Sequence, residues 1–335
     1  MTDKSFRVWA DNRSNSPLTK FHRWRSRPLG TVVRTLETLF LGAPLQQIIR
    51  SNNDVDEIRH LLPNLTVYGT AQDLLISDAR VSIKSGLVML ESGHVIAGHL
   101  NAHSFLSGNL TDEVRELLKR TPGKIESEII YVLPKQEYFY HFLIDYLPHL
   151  IRLHQEFPNL SILIDAQEKS FVIEYLRLLK YEYAHAPAKT ISAKKILVPN
   201  YKILNTESVE MLLNQTLCEY KNSQLSPKKI AFLRFRGPRH DSEFEGRMKA
   251  QLITDGYEIF DPETLSLTQQ IQLFSGADEI VSIHGGVLAN LIFCKKGTVV
   301  HEIFTHPYRT LFFMAISNSL GLNYSSSESA NYAFN

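Results

Sequence analysis

The sequence predicts an α/β protein of two Rossmann-like lobes, because strand-like and helical segments alternate along most of it. The clearest unit lies late in the chain. An apolar strand-like run from Glu279 leads through the turn His284-Gly285-Gly286 and an apolar helix into a second run that ends at Phe304. This is the order of a β-α-β crossover. At 335 residues the chain is also too long for one ordinary core.

Elements of the first half follow from short patterns. Residues 1 to about 30 are polar and without periodicity, and the next segment, 31–49, carries apolar residues at helical spacing. A turn of hairpin composition, Glu91-Ser92-Gly93, separates two of the strand-like runs that come next. Alternation then continues to about residue 205, with strands predicted at 79–83, 86–90, 94–99, 129–134, 161–164 and 196–199, and helices at 111–119 and 169–179.

The second half repeats this alternation. A helix is predicted at 207–217, a polar patch follows at 221–227, and a strand begins at Lys229. Ser266 and Gln269 have the spacing of a capping box, which predicts a helix start. We therefore expect an N-terminal extension at 1–60, a first lobe at 61–205 and a second lobe at 206–335 whose C-terminal segment can return to the first.

Composition excludes several classes of protein. The formal charge of +1 gives no global attraction to nucleic acid, and the two cysteines suggest neither a disulfide framework nor a thiolate metal site. The first residues lack the pattern of a signal peptide, and no apolar run is long enough to cross a membrane. We expect a cytoplasmic protein. The basic and aromatic segment 20–27 is either a contact with anionic lipid or a solvated arm.

The glycine turn suits an anion. Gly285 and Gly286 let the backbone approach a ligand, and the start of the next helix offers unpaired amides and a positive dipole. His284 and Glu302 would stand near the carboxyl ends of neighbouring strands, where open α/β sheets bind ligands. The sequence thus predicts a phosphate or diphosphate site, although a glycine pair can also serve helix-sheet packing alone.

A group of arginines follows the first strand of the second lobe. Arg234 and Arg236 occupy alternate positions and share a face, with Arg239 and Arg247 beyond them. A guanidinium fork matches phosphate oxygens, so we expect these side chains to neutralise a diphosphate. The alternative is a solvated edge that pairs with nearby carboxylates.

His141 and Asp145 are four residues apart in an aromatic, helical stretch, which brings them to one face. A carboxylate beside an imidazole is the arrangement of a general base; the alternative is a helix cap or a core histidine. Pro148 should kink or end this helix. No spacing typical of a zinc helix or a Walker loop occurs, so we expect no metal and no nucleotide hydrolysis.

In their order, four stretches resemble glycosyltransferase family 61, which includes bacterial capsule and lipopolysaccharide enzymes and plant and animal transferases. They run from Tyr140 to His149, Asp261 to Ile271, His284 to Asn290 and Gly297 to Glu302. The resemblance implies a GT-B fold of two facing Rossmann-like domains with an interdomain cleft, and an inverting mechanism without a required metal.

The resemblance also assigns roles. The family's donor-loop motif falls on His284, Gly285 and Asn290, and Glu302 falls on the acid expected to hold the ribose hydroxyls of a nucleotide sugar, with UDP expected as the nucleotide.

In the same comparison Arg234 and Arg236 match the basic strand end that would face the diphosphate. His141 and Asp145 match the motif that would deprotonate the acceptor.

Three departures from the family pattern are visible: Val287 and Ser282 stand where glycine is usual, and Tyr138 where asparagine is common. We expect a cytoplasmic bacterial glycosyltransferase, peripheral to the membrane at most, that acts on an oligosaccharide or a lipid-linked glycan in surface-polysaccharide synthesis. The alternatives are a non-catalytic nucleotide-sugar-binding or scaffold subunit and an enzyme that epimerises nucleotide sugars.

Overall fold

The computed structural model describes residues 67–68, 74–84, 86–90, 95–96, 116–117, 122–125, 127–133, 138–166, 170–199, 206–221, 227–235, 241–305 and 311–329. The predicted extension 1–60, the segment 20–27, Arg236 and Arg239 lie outside these residues. The chain divides into two compact units. One holds the described residues of Lys20–Glu137 and Asp145–Ile203, and the other holds those of Tyr138–Ile144 and Leu204–Asn335. Both units are α/β, as predicted.

The first unit contains one mixed sheet. Its strands, in chain order, are β1 (Val67–Tyr68), β2 (Leu74–Ser82), β3 (Val88–Leu90), β4 (Val95–Ile96), β5 (Gly123–Ile125), β6 (Ile130–Leu133), β7 (Ser161–Ile164), β8 (Tyr183–His185) and β9 (Thr190–Val198). The order is β1-β4-β3-β2-β9-β6-β7-β8, with β5 on β9. Strands β9, β6, β7 and β8 are parallel, in the order of half a Rossmann sheet.

The antiparallel part of this sheet comes from the predicted hairpin. β3 and β4 pair antiparallel, with Val88 opposite Ile96, which confirms the hairpin although its turn is not described. β2 pairs antiparallel with both β3 and β9, so the sheet changes from parallel to antiparallel pairing at β9. Two helices of this unit are α1 (Leu147–Glu156) and α2 (Phe171–Leu178). The sheet core includes Val81, Ile130, Val132, Ile191 and Ile196.

The segment before α1 is a turn of π-helix, His141–Tyr146. Pro148 is the second residue of α1, where it has no N–H to donate and its ring would clash with the carbonyl four residues earlier in a regular helix. The wider π-helical turn just before Pro148 accommodates both the missing N–H and the proline ring. The disturbance expected at Pro148 is therefore a change of helix type, and α1 continues beyond it.

The second unit contains a parallel sheet of β10 (Lys229–Phe232), β11 (Glu258–Phe260), β12 (Glu279–Ile283), β13 (Val299–Phe304) and β14 (Asn323–Glu328). Its order is β11-β10-β12-β13-β14, and every neighbouring pair is parallel. This is a doubly wound sheet whose direction of growth reverses between β10 and β12. β14 completes the sheet with residues for which the sequence predicted no strand.

Helices cover both faces of this sheet. They are α3 (Thr206–Thr216), α4 (Ser242–Thr254), α5 (Leu267–Gly276) and α6 (Phe312–Leu320). Met248 of α4 packs with Ala231 and Val281 on one face. Phe274 of α5 stacks on Phe232, which points to the opposite face, with ring centroids 5.0 Å apart. The predicted capping box at Ser266 is confirmed at the start of α5.

Candidate active site

The candidate site lies at the carboxyl edge of the second unit's sheet. β10 and β12 are neighbours, and Arg234 and His284 each follow the end of one of them. Arg234 Nη2 donates a hydrogen bond to the carbonyl oxygen of His284 at 2.5 Å. A doubly wound sheet opens a crevice where its strand order reverses, and ligands bind there. The arginine and the glycine turn therefore meet at the expected binding edge.

Gly285 is required by this approach. A Cβ atom at Gly285 would lie 3.1 Å from Arg234 Nη2, closer than most real Cβ contacts. The backbone of Gly285 is extended, with φ −176°, so any residue could adopt its conformation. The need for glycine here is thus steric and comes from the guanidinium group.

After Gly285 the chain forms a 3-10 helix, Gly286–Phe293. Its residues from Leu288 onward are buried, whereas Gly286 at its start is exposed. The first amides of a helix have no carbonyl partner within the helix and carry a partial positive charge. This start lies beside Arg234, so two sources of positive potential face the same edge.

Asn290 lies inside this helix and is completely buried. Its Nδ2 donates to Gln270 Oε1 at 2.9 Å and to the Val287 carbonyl at 3.0 Å. Gln270 in turn donates to the Pro262 carbonyl at 3.2 Å. Asn290 therefore ties the loop to α5 and to the turn before it, and it acts on the site through the shape of the loop.

His284 and Glu302 are in direct contact. Ser282 is in register with Glu302, and since side chains alternate along a strand, His284 falls on the same face. His284 Nδ1 and Glu302 Oε1 are 2.5 Å apart, and the histidine ring stacks on Phe304 with centroids 5.0 Å apart. Glu302 has no exposed surface, while 12% of the His284 side chain is exposed.

Tyr324, which the sequence analysis did not single out, completes this group. Its hydroxyl donates to Glu302 Oε2 at 2.5 Å. Burial and the neighbouring Glu302 carboxylate raise the pKa of Tyr324 well above its usual value, so the phenol stays protonated and keeps donating. The polar run Asn323–Glu328 carries no strand signal in the sequence, and only its parallel register with β13 brings Tyr324 to the face of Glu302.

The His141 segment belongs to the second unit. A Cβ atom at Gly286 would lie 3.5 Å from the Cβ of Phe139, and the Tyr140 ring stacks on Phe312 at 4.8 Å. His141 meets Phe312 edge-on at 6.5 Å. The motif that contains His141 thus lies beside the motif that contains the glycine loop, although the two are far apart in the sequence.

Phe313 connects the two motifs within this unit. Its ring centroid lies 5.8 Å from that of Tyr140 and 5.5 Å from that of His284. The sequence analysis missed Phe312 and Phe313 because an apolar helix start carries no local sign of a site. Asp145, by contrast, belongs to the first unit.

Comparison with known proteins identifies a family for the middle of the chain. The model of the family Glycosyltransferase 61 matches residues 139–301. Residues 139–301 belong to glycosyltransferase family 61. No curated protein matches the chain. Membership indicates a transferase of glycosyl groups, which in general takes a nucleotide-sugar donor and a glycan acceptor.

The family 61 match begins in the helical segment that contains His141 and ends in β13, one residue before Glu302. It therefore includes Arg234 and the whole glycine loop, and it leaves out Tyr324. Among the residues that the structure describes, no cluster of three His, Cys, Asp or Glu side chains could hold a metal ion. None of the helices in the described ranges combines the length and apolar composition needed to cross a membrane.

Proposed function

We propose that this chain is an inverting, metal-independent glycosyltransferase of GT-B type. It moves a sugar from a nucleotide diphosphate sugar, with UDP as the nucleotide, to a glycan hydroxyl in the synthesis of a bacterial capsule or lipopolysaccharide. The observation that carries this proposal is the joining of Arg234 to the His284 carbonyl at the strand-order reversal, inside the family 61 segment.

The donor's diphosphate would lie between Arg234 and the first amides of the Gly286–Phe293 helix. Both supply positive potential where negative charge develops on the leaving group, and both are held in place before the ligand arrives. Arg236, two residues after Arg234, would add a second guanidinium. Fixed donors of this kind stabilise a departing diphosphate without a bound cation.

The acceptor hydroxyl would attack the anomeric carbon. A new carbon–oxygen bond forms, the bond to the diphosphate oxygen breaks, and the hydroxyl proton passes to a general base. His141 or Asp145 is the proposed base, and His141 is the first to test because it lies in the segment that packs beside the glycine loop. Attack from the face opposite the leaving group inverts the anomeric configuration.

The acceptor would be an oligosaccharide or a lipid-linked glycan at the cytoplasmic face of the membrane. Segment 20–27, which is basic and aromatic, has the composition to contact anionic head groups there. A nucleotide-sugar-binding subunit without turnover is the competing role, and the experiment below separates the two.

The test is calorimetric titration of the purified chain with nucleoside diphosphates and nucleotide sugars, with and without a chelator, followed by NMR of any product. We expect chelator-insensitive binding of one nucleoside diphosphate and an inverted product. Arg234→Lys should weaken that binding about tenfold, because lysine cannot reproduce the guanidinium fork. Arg177→Lys, an exposed change in α2 of the first unit, is the matched control.

Absence of binding to every nucleotide would overturn the donor site. Binding without turnover in the presence of glycan acceptors would favour the non-catalytic role. Binding that disappears with the chelator would contradict the metal-independent mechanism.

A further inference from the structure

Tyr324, Glu302 and His284 form a continuous hydrogen-bonded chain that ends at the binding edge. The tyrosine hydroxyl donates to one carboxylate oxygen of Glu302, and the other oxygen meets Nδ1 of His284. Glu302 is completely buried and both of its oxygens are engaged within the protein. Because Glu302 has no exposed surface, a ribose hydroxyl has no direct access to its oxygens.

We propose that Glu302 and Tyr324 are positioning residues that hold His284 in the tautomer with its proton on Nδ1, so that Nε2 accepts a hydrogen bond from a hydroxyl of the donor sugar. This inference rests on the proposed function and sharpens it, because it separates the group that recognises the sugar from the groups that hold the diphosphate.

The tautomer follows from the chemistry of the carboxylate. An ionised carboxylate only accepts hydrogen bonds, and the Tyr324 hydroxyl already donates to Oε2. Nδ1 must then donate to Oε1, because two lone pairs facing each other at that distance in a buried site would repel. In a neutral imidazole with a proton on Nδ1, Nε2 is an acceptor.

An acceptor nitrogen cannot bind a phosphate oxygen, which has no proton to share. A sugar hydroxyl does have one. The position of His284 suits the sugar of the donor, since its carbonyl is held by Arg234 and the next residue opens the glycine loop. Stacking on Phe304 and contact with Phe313 fix the plane of the ring.

The first test reads the tautomer directly and needs neither a ligand nor turnover. The full chain is labelled with ¹³C and ¹⁵N histidine, and the His284 signals are assigned by their loss in His284→Gln. At pH 8.5 we expect a protonated Nδ1 and an unprotonated Nε2. A His284 that carries its proton on Nε2, or on both nitrogens, at that pH would overturn the proposal.

Two variants probe the positioning residues. Glu302→Gln should give a mixture of tautomers, and Tyr324→Phe, which removes one oxygen atom and is the safer change for folding, should give a smaller shift in the same direction. Tyr257→Phe is the matched control, because it removes another tyrosine-to-glutamate hydrogen bond, to Glu279, at the opposite edge of the sheet. Histidine signals unchanged in both test variants would contradict the positioning role.

The second test separates sugar from diphosphate. Tyr324→Phe should lower kcat/KM for the nucleotide sugar about tenfold, in the range of residues that orient a functional histidine. Its affinity for UDP, which lacks the transferred sugar, should stay close to that of the wild type. Equal losses for both ligands would mean that His284 serves the UDP part of the donor, its ribose included, and would overturn the proposal. If the proposed function fails, turnover is missing from the wild type as well, while the tautomer result still stands.

Discussion

Arg234 donates a hydrogen bond from Nη2 to the carbonyl oxygen of His284, 2.5 Å away and fifty residues later in the chain. This bond crosses from the end of β10 to the end of β12, which are adjacent parallel strands. It fixes the loop whose next residue opens the 3-10 helix. The arginine therefore shapes the loop in addition to supplying charge, and changes that displace it should affect donor binding more than folding.

Gly285→Ala should weaken binding of the nucleoside diphosphate by about tenfold or more, because the new methyl group would lie 3.1 Å from Arg234 Nη2 and push the guanidinium away. Calorimetric titration measures the change. Gly246→Ala in α4 is the control, since its methyl group would meet nothing within 4 Å. Equal affinities of the two variants would show that the approach of Arg234 to the loop is unimportant.

His141→Gln should lower kcat by a factor of about 10² or more, the usual contribution of a general base, while the affinity for the donor nucleotide is nearly unchanged. The measurement is steady-state turnover with calorimetry on the same preparation. His154→Gln is the control, because His154 stacks on Tyr181 at 3.9 Å in the first unit. A His141→Gln protein with the wild-type kcat would remove His141 from the mechanism.

Glu279 should make the stability of the second unit depend on pH. The hydrogen bond from Tyr257, followed by the ion pair with Lys229, lowers the pKa of Glu279 below its ordinary value near 4.5. A carboxyl group whose pKa is lowered by folding contributes its full stabilisation at pH values above its ordinary, unfolded-state pKa. The contribution is lost as the pH falls through the lowered pKa of the folded state.

The stability difference between wild type and Glu279→Gln should therefore be largest above pH 4.5 and shrink as the pH falls below it. Urea unfolding at a series of pH values measures it. Tyr257→Phe should reduce this pH dependence, because it removes the larger cause of the shift. A difference that does not change with pH would contradict the assignment.

Two glycines should respond to alanine in opposite directions. Gly246 lies inside α4 with open space around it, so Gly246→Ala should stabilise the fold by about 0.5–1 kcal/mol. Gly321 ends α6 in the left-handed region at φ 68°, so Gly321→Ala should cost about 1–2 kcal/mol. Thermal and urea unfolding compare them. A loss of stability in Gly246→Ala would contradict the open space found around Gly246.

Much of the second unit could be predicted because its signals are local. The capping box is closed by two hydrogen bonds: Ser266 Oγ accepts from the backbone N–H of Gln269 at 3.2 Å, and Gln269 Oε1 accepts from the backbone N–H of Ser266 at 2.8 Å. The crossover from Glu279 to Phe304 is confirmed as β12, a helix and β13. Such features depend on residues a few positions apart, whose types already set the backbone geometry.

The sequence by itself determined the α/β class, the crossover from Glu279 to Phe304, and the placing of Arg234, His284 and Glu302 at or near strand ends. Only the tertiary structure decided which strands are neighbours and which side chains touch. The reversal between β10 and β12 brings Arg234 to the His284 carbonyl, and β14 brings Tyr324 to Glu302. Parallel strands are joined by long crossovers, so their register and partners depend on packing across the whole unit, which no local pattern encodes.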